Sequence, residues 1–197
     1  MLFRSVPVVL INALIDNLGF PCVSADDGSA AVQAFTHLSA LGHERIGLVL
    51  GPEDHMPSRR RLVGFEDHAR RSGISAAPVE HALFSLEGGQ AATTRMLRQG
   101  VTGVICASDV LALGAVRAVR RAGLTVPGDV SVVGFDDIQS AAFSTPSLTT
   151  VRQPLQEMGR TAVTMLMRQL DGHAHEALSM ELETRLVVRE STGPASG

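Results

Sequence analysis

Gly123–Pro154 reads GLTVPGDVSVVGFDDIQSAAFSTPSLTTVRQP, and its order of residue types decides the fold. Pro127, Gly128 and Asp129 supply a turn. Val130, Val132, Val133 and Phe135 form a short apolar run, of the kind buried on both faces of a parallel sheet. Asp136 and Asp137 then fall at the carboxyl end of that strand. In open α/β sheets ligands bind along that edge. A carboxylate there accepts hydrogen bonds from a polar ligand and is too costly to bury unpaired.

Outward from this stretch, strand and helix patterns alternate. That implies an α/β fold with doubly wound parallel sheets and helices on both faces. Strands are predicted near 6–11, 21–25, 46–50, 79–84, 102–106, 130–135, 148–152 and 182–189. Helices are predicted near 28–41, 58–72, 88–99, 109–122 and 154–171. In the last of these, Leu155, Met158, Ala162, Met165, Leu166 and Leu170 recur at helical spacing, after a Pro154 suited to a first turn. Gly51–Pro57, Thr150–Pro154 and Asp171–Ala177 carry the prolines or glycine expected of crossing points between lobes.

Composition narrows the function. At 197 residues, with 45% hydrophobic and 19% charged side chains, the chain can bury a sizeable core. Its net charge of −3 and pI near 6.1 lack the basic balance of a DNA-binding domain. Arg59-Arg60-Arg61 is the one dense basic run, and Arg70-Arg71 and Arg120-Arg121 sit where they favour helix dipoles. Cys22 and Cys106 lie in apolar strand contexts and read as inert thiols in a reducing cytosol. No apolar run reaches the roughly 18 residues needed to span a bilayer, and the start makes a poor signal peptide. A cytoplasmic protein without membrane attachment is expected.

Candidate ligand-binding side chains cluster at predicted strand ends: Phe84, Ser108 and Asp136, with Arg61 in the first turns of a helix. An Arg fork and a carboxylate hold hydroxyls or ring nitrogens, and a phenyl face stacks on a sugar or base. Plainer readings stand beside each. Arg61 could pair with an acid, Phe84 could be a core aromatic, and Ser108 and Asp26-Asp27 could be helix caps. Enzyme signals are thin. Neither a G-x-S-x-G elbow nor a G-x-G-x-x-G fingerprint occurs, and Gly88-Gly89 is more simply turn geometry than a phosphate cradle. His173-x-His175 with Glu176 lacks a third metal ligand. No cofactor or metal is expected.

The chain resembles the lactose/galactose-repressor (LacI/GalR) family of bacterial transcription regulators. The matching pieces are Val6–Asn12 (VPVVLIN), His37–Pro52 (HLSALGHERIGLVLGP), Arg61–His68 (RLVGFEDH), Ile105–Ile138, Pro146–Val163 and Leu186–Ser191 (LVVRES), in family order. The resemblance implies a two-lobed, periplasmic-binding-protein-like effector module joined by three crossing strands, with the helix-turn-helix head, the hinge and the first strands of the first lobe missing. It implies a first lobe of 1–51 and 152–172, a second of 52–149 and 175–192, and a disordered tail at 193–197. Arg61, Asp136 and Phe84 match the family's effector clamp, aspartate and stacking aromatic. Ser108 stands where many members carry Asn, and Asp26, His55 and Gln153 fall near pocket positions. The helix at 109–122 is apolar on most of its circumference, and the family dimerises there, so Val110, Leu113 and Val116 are expected at a homodimer interface. The expected function is non-catalytic: a sugar or nucleobase-like effector controls operator binding through the missing head. The rivals are a transport-type sugar-binding protein and a small α/β hydrolase.

Overall fold

The computed structural model describes residues 6–13, 19–74, 78–172 and 179–196. The elements run β1 (Leu10–Ile11), β2 (Cys22–Ala25), α1 (Asp27–Ala40), β3 (Ile46–Leu50), α2 (Met56–Ser72), β4 (Val79–His81) and α3 (Leu86–Leu97). They continue with β5 (Gly103–Cys106), α4 (Asp109–Arg121), β6 (Ser131–Asp136), α5 (Gln139–Phe143), β7 (Thr149–Arg152), α6 (Leu155–Leu170), β8 (Ser179–Leu182) and β9 (Arg185–Val187).

Two sheets form. The larger has the order β4-β3-β5-β6-β7-β9, parallel except for β9, which runs against β7. The smaller, β1-β2-β8, is parallel throughout. The apolar runs of β3, β5 and β6 sit in the middle of the larger sheet, where helices cover both faces, and this is why they need no polar alternation. α3 and α4 lie side by side because each has a glycine at the crossing. A Cβ on Gly89 would come within 2.1 Å of the Leu111 carbonyl oxygen, and one on Gly114 within 2.2 Å of the Leu86 carbonyl oxygen. Gly89 is therefore a helix-packing residue. The apolar circumference of α4 is largely taken up within its own lobe: Leu111, Ala112, Ala115, Val116, Ala118 and Val119 are all buried.

The lobe boundaries differ from those expected. β3 and α1 belong to the larger lobe, so residues 27–51 do not go with the first lobe. The five residues of β3 are all buried between β4 and β5, and the Phe35 ring of α1 meets Phe65 of α2 edge-on at 5.2 Å. The predicted strand 182–189 is two strands, β8 completing the smaller sheet and β9 the larger. The chain thus passes between the sheets after β2, after β7 and after β8, rather than at Gly51–Pro57. These three passages lie together, with the Asp26 amide donating to the Leu182 carbonyl at 2.9 Å. The 171–177 connection and the His173, His175 and Glu176 trio fall mostly or wholly outside the described residues.

The tail is also ordered as far as described. Ser191 is fully buried, donating to the Val132 carbonyl and accepting from the Thr149 amide. The Gly193 amide donates to Ser131 Oγ, and the buried His43 ring lies 3.1 Å from the Gly193 carbonyl. Its small polar composition suggests disorder, but those residues satisfy the starts of β6 and β7. Among the described residues no helix is long and apolar enough to cross a membrane, and no cluster of His, Cys, Asp and Glu could hold a metal ion.

Candidate functional site

The carboxyl ends of the larger sheet's strands open onto a cleft of about 320 Å³. It is lined by Asn12, His55, Pro57, Arg61, Phe84, Ala107, Ser108, Val110, Asp136 and Gln153. Six of the predicted side chains therefore meet in one place, carried there by separate elements. Asn12 follows β1 of the smaller sheet, and Gln153 lies on the passage from β7 to α6. The rest belong to the larger lobe.

Arg61 is 5% exposed and held on every side. Its Nε donates to Asp27 Oδ1 at 2.9 Å, Nη2 approaches the same oxygen at 2.7 Å, and Nη1 donates to the Ala107 carbonyl at 2.7 Å. The guanidinium carbon stands 3.6 Å over the Phe135 ring. Each terminal nitrogen keeps one further N–H for a ligand. The fork is thus preset by its surroundings and costs little ordering entropy on binding. Burial pushes the Asp27 carboxyl above its ordinary range, while Arg61 pulls it back. Asp27 was not singled out in sequence, because the Asp26-Asp27 pair reads as a helix cap. The structure divides the pair. Asp26 caps α1, accepting from the Ser29 amide at 2.9 Å and from Ser29 Oγ at 2.6 Å, and it does not line the cleft. A carboxylate whose two oxygens are both committed to Ser29 of its own helix has no reason to face a ligand.

Asp136 ends β6 with φ of 110°, a region that strains any residue with a Cβ. One of its oxygens accepts from Gln153 Nε2 at 2.6 Å. Burial pushes its carboxyl up to about 6, outweighing Arg61 and the Gln153 bond. A desolvated carboxylate with spare lone pairs favours a donor-rich ligand. Gln153 Oε1 is buried with no partner. Asp137, next in sequence, turns away. Burial raises its carboxyl, but bonds from Arg189 and Arg152 outweigh that and leave it below the ordinary range.

Phe84 is 43% exposed, so it is a cleft wall and not a core aromatic. Its ring lies against Gly51, where a Cβ would be 2.2 Å from Cζ, and meets the His55 ring edge-on at 5.3 Å. His55 precedes α2 and its Nδ1 is 3.0 Å from Ser58 Oγ. Burial lowers its pKa, with Arg61 adding to the effect, so the ring is neutral near pH 7. Ser108 is both cap and lining: Oγ accepts from the Leu111 amide at 3.2 Å. Beneath it the wholly buried Asp109 accepts from Thr150 Oγ at 2.6 Å and the Ile138 amide at 2.8 Å. Burial pushes Asp109 up to about 6, with Asp136 and Asp137 contributing. Both thiols are free, and burial drives Cys106 far above its ordinary range.

Of the three expected interface residues, Val110 lines this cleft, because the first turn of α4 starts at its floor. Leu113 and Val116 face a different depression with Arg117, Arg120, Arg121 and Thr145. Asn12 and Pro57 were not expected in the site. Asn12 carried a usable signal, since it ends the apolar run of a predicted strand just as Asp136 does.

Residues 35–192 match the periplasmic binding protein-like domain. Over 196 residues the chain is 47% identical to an HTH-type transcriptional regulator from the aml 5' region of Streptomyces limosus, covering 96% of this chain and 55% of that relative. Among solved structures, a CelR–cellobiose complex superposes with a TM-score of 0.88 at 34% identity, covering 95% of this chain and 59% of that one. A LacI family regulator from Enterococcus faecium with bound ribose gives 0.88 at 31% identity, covering 96% and 72%. The chain spans a little over half the length of the curated relatives it matches, and those relatives are transcriptional regulators rather than enzymes. By these matches the chain belongs to the periplasmic-binding-protein-like domain family, in its LacI/GalR regulator branch.

Proposed function

We propose that this chain is the effector-sensing part of a LacI-type transcriptional regulator. A small polar molecule, a sugar or a nucleobase-like compound, binds in the cleft and biases the two lobes toward one arrangement. That arrangement is read out as a change in operator binding by a helix-turn-helix head of the whole protein, a coupling between two sites. The observation that carries this reading is the convergence of Arg61, Asp136, Phe84, Ser108, His55 and Gln153 on one cleft. The preset Arg61 fork donates, Asp136 and Gln153 Oε1 accept, and the Phe84 ring covers an apolar face. Bound sugars in two structural relatives, cellobiose and ribose, support the ligand class.

The whole protein acts in the cytoplasm as a homodimer, with Leu113 and Val116 of α4 on the contact. Dimeric repressors among the structural relatives support this part. DNA affinity resides in the head and not in these residues, whose net charge is −3. A thermal-shift panel of ribose, glucose, cellobiose, maltose, adenosine and inorganic phosphate tests the reading, because a specific ligand raises Tm by mass action. At least one sugar or nucleoside is expected to do so. A flat panel would contradict the reading.

A further inference from the structure

Asp109 is wholly buried and lies outside the cleft lining, yet it bonds to the segments that build the cleft. It opens α4, where the helix dipole favours an acid. Its Oδ2 accepts from the Ile138 amide at 2.8 Å and its Oδ1 from Thr150 Oγ at 2.6 Å. No cation among the described residues pairs with it. A buried carboxylate without a cation is costly, so these two donors must offset its loss of water. Thr150 stands opposite Gly134 in the pairing of β6 with β7, and the glycine leaves the gap that the carboxylate uses. A Cβ on Gly134 would be 2.2 Å from Asp109 Oδ1.

The bond to Ile138 anchors the end of a strained turn. Asp136 and Asp137, the two residues before it, both have positive φ, 110° and 60°. Two such residues in succession persist only where the surrounding bonds over-determine them. The Asp136 side chain is held by Gln153, and that of Asp137 by Arg152 and Arg189. Asp109 supplies a hold of another kind, on the main chain of the turn. The same carboxylate reaches β7, and three residues beyond Thr150 the chain passes Gln153 on its way to the smaller lobe. Ser108 and Val110, the sequence neighbours of Asp109, line the cleft themselves. One buried side chain thereby ties three cleft-forming segments together, which is how the groups that face a ligand are kept in place.

We propose that Asp109 is a positioning residue for the effector site. Through the Ile138 amide it fixes the turn that aims the Asp136 carboxylate, and through Thr150 it sets that turn against the strand leading to Gln153. It touches no ligand and acts only through Asp136 and Gln153. This rests on the effector reading above and adds to it a residue outside the cleft.

Amide exchange followed by NMR on the unliganded chain reads the hold on the turn. Calorimetry with ribose, glucose, cellobiose, maltose and adenosine reads its effect on the site. In Asp109→Ala the Ile138 amide should exchange at least about tenfold faster relative to Val104 and Ile105 of β5. Affinity for each compound that the unmodified chain binds should fall by about tenfold or more. Thr150→Val should move both readings the same way by less, and Thr150→Ser, which keeps the hydroxyl, should restore both. That pair decides the matter if Asp109→Ala does not fold. An Ile138 amide that only keeps pace with β5 in these variants would make Asp109 an ordinary stabiliser of the fold and overturn the proposal. A quickened Ile138 amide with unchanged affinity would overturn it as well, and in both cases the effector reading stands. If none of the five compounds binds the unmodified chain, that reading falls and the positioning role falls with it.

Discussion

The two lobes of this chain are built to different standards. In the larger, a continuous core runs from α1 and α2 through six strands to α3 and α4, with Phe35, Phe65 and Phe135 wholly buried. In the smaller, the buried core among the described residues is five side chains, Val23, Ala25, Met158, Ala162 and Met165, with α6 packed against the sheet. The outer side of α6 exposes Leu155, Val163, Met167 and Leu170, and the β1 segment exposes Val6 and Ile11. The candidate ligand-binding side chains follow the better-built lobe. Arg61, Phe84, Ser108 and Asp136 all stand on it, and Asn12 alone comes from the smaller sheet. A rigid half that presets donors and acceptors, facing a lightly held half, is an arrangement in which the binding energy of the proposed effector would shift lobe geometry.

The contrast is broken most directly at Phe135. Phe135→Ala removes a buried ring and the platform under Arg61, so a loss of about 3–5 kcal/mol of stability is expected in chemical denaturation. Met158→Ala in the smaller lobe should behave differently. Its cost should be about 2 kcal/mol, at the low end for such a truncation, since a thin layer collapses easily. Hydrogen exchange should quicken in β2 and α6 while β3, β5 and β6 stay protected. If Met158→Ala instead lowers protection evenly through both sheets, the lobes form one cooperative unit and the contrast fails.

Asp136 sharpens the comparison, because here the rigid lobe gives up stability to the site. Its φ is positive and its carboxylate is desolvated. Asp136→Gly relieves both, and should raise the stability of the unliganded protein by about 1–2 kcal/mol while removing ligand binding. Loss of stability in that variant would show that the Gln153 bond outweighs strain and burial.

The smallest predicted effect is a pH dependence with two signs. In the folded, free protein Asp136 and Asp109 hold their protons up to about pH 6, whereas the unfolded carboxyl releases its proton near 3.8. The native state therefore binds more protons between those values, and these two groups make the free protein more stable as pH falls through 6 toward 4. On the proposed reading the ligand is held by the Asp136 carboxylate, so affinity should fall across the same window, by about tenfold between pH 7 and pH 5. Calorimetry at the two values, with a thermal melt of the free protein at each, reads both signs. Affinity that is flat over this range would remove Asp136 from direct contact with the ligand.

Much of this was legible in the chain. Val130–Phe135 announces a central strand, and a carboxylate placed directly after such a run can only sit at the sheet's edge. Arg61, Phe84 and Ser108 follow the same logic at other elements. Asp27 was not legible, because sequence cannot tell which of two adjacent acids caps the helix and which turns inward to meet Arg61. The lobe boundary was hidden for a related reason. Gly51-Pro52 looks like a break, but that turn only leads β3 into α2 within one lobe, and the true passage at Asp26 carries neither glycine nor proline. The split between β8 and β9 falls at Glu183-Thr184 inside an otherwise strand-like run. Ser191 and Gly193 look like a tail by composition, and only the hydrogen bonds to Ser131 and Val132 make them structure.

The central claim is that the cleft of the larger lobe binds a small polar effector through Asp136. Isothermal titration of the sugar or nucleoside giving the greatest thermal shift, into the unmodified chain and into Asp136→Asn, tests it most directly. A single saturable site is expected, weakened roughly ten- to hundredfold in the variant, the loss of about one charge-assisted hydrogen bond. Equal affinity in the two proteins, with both fully folded, would contradict it.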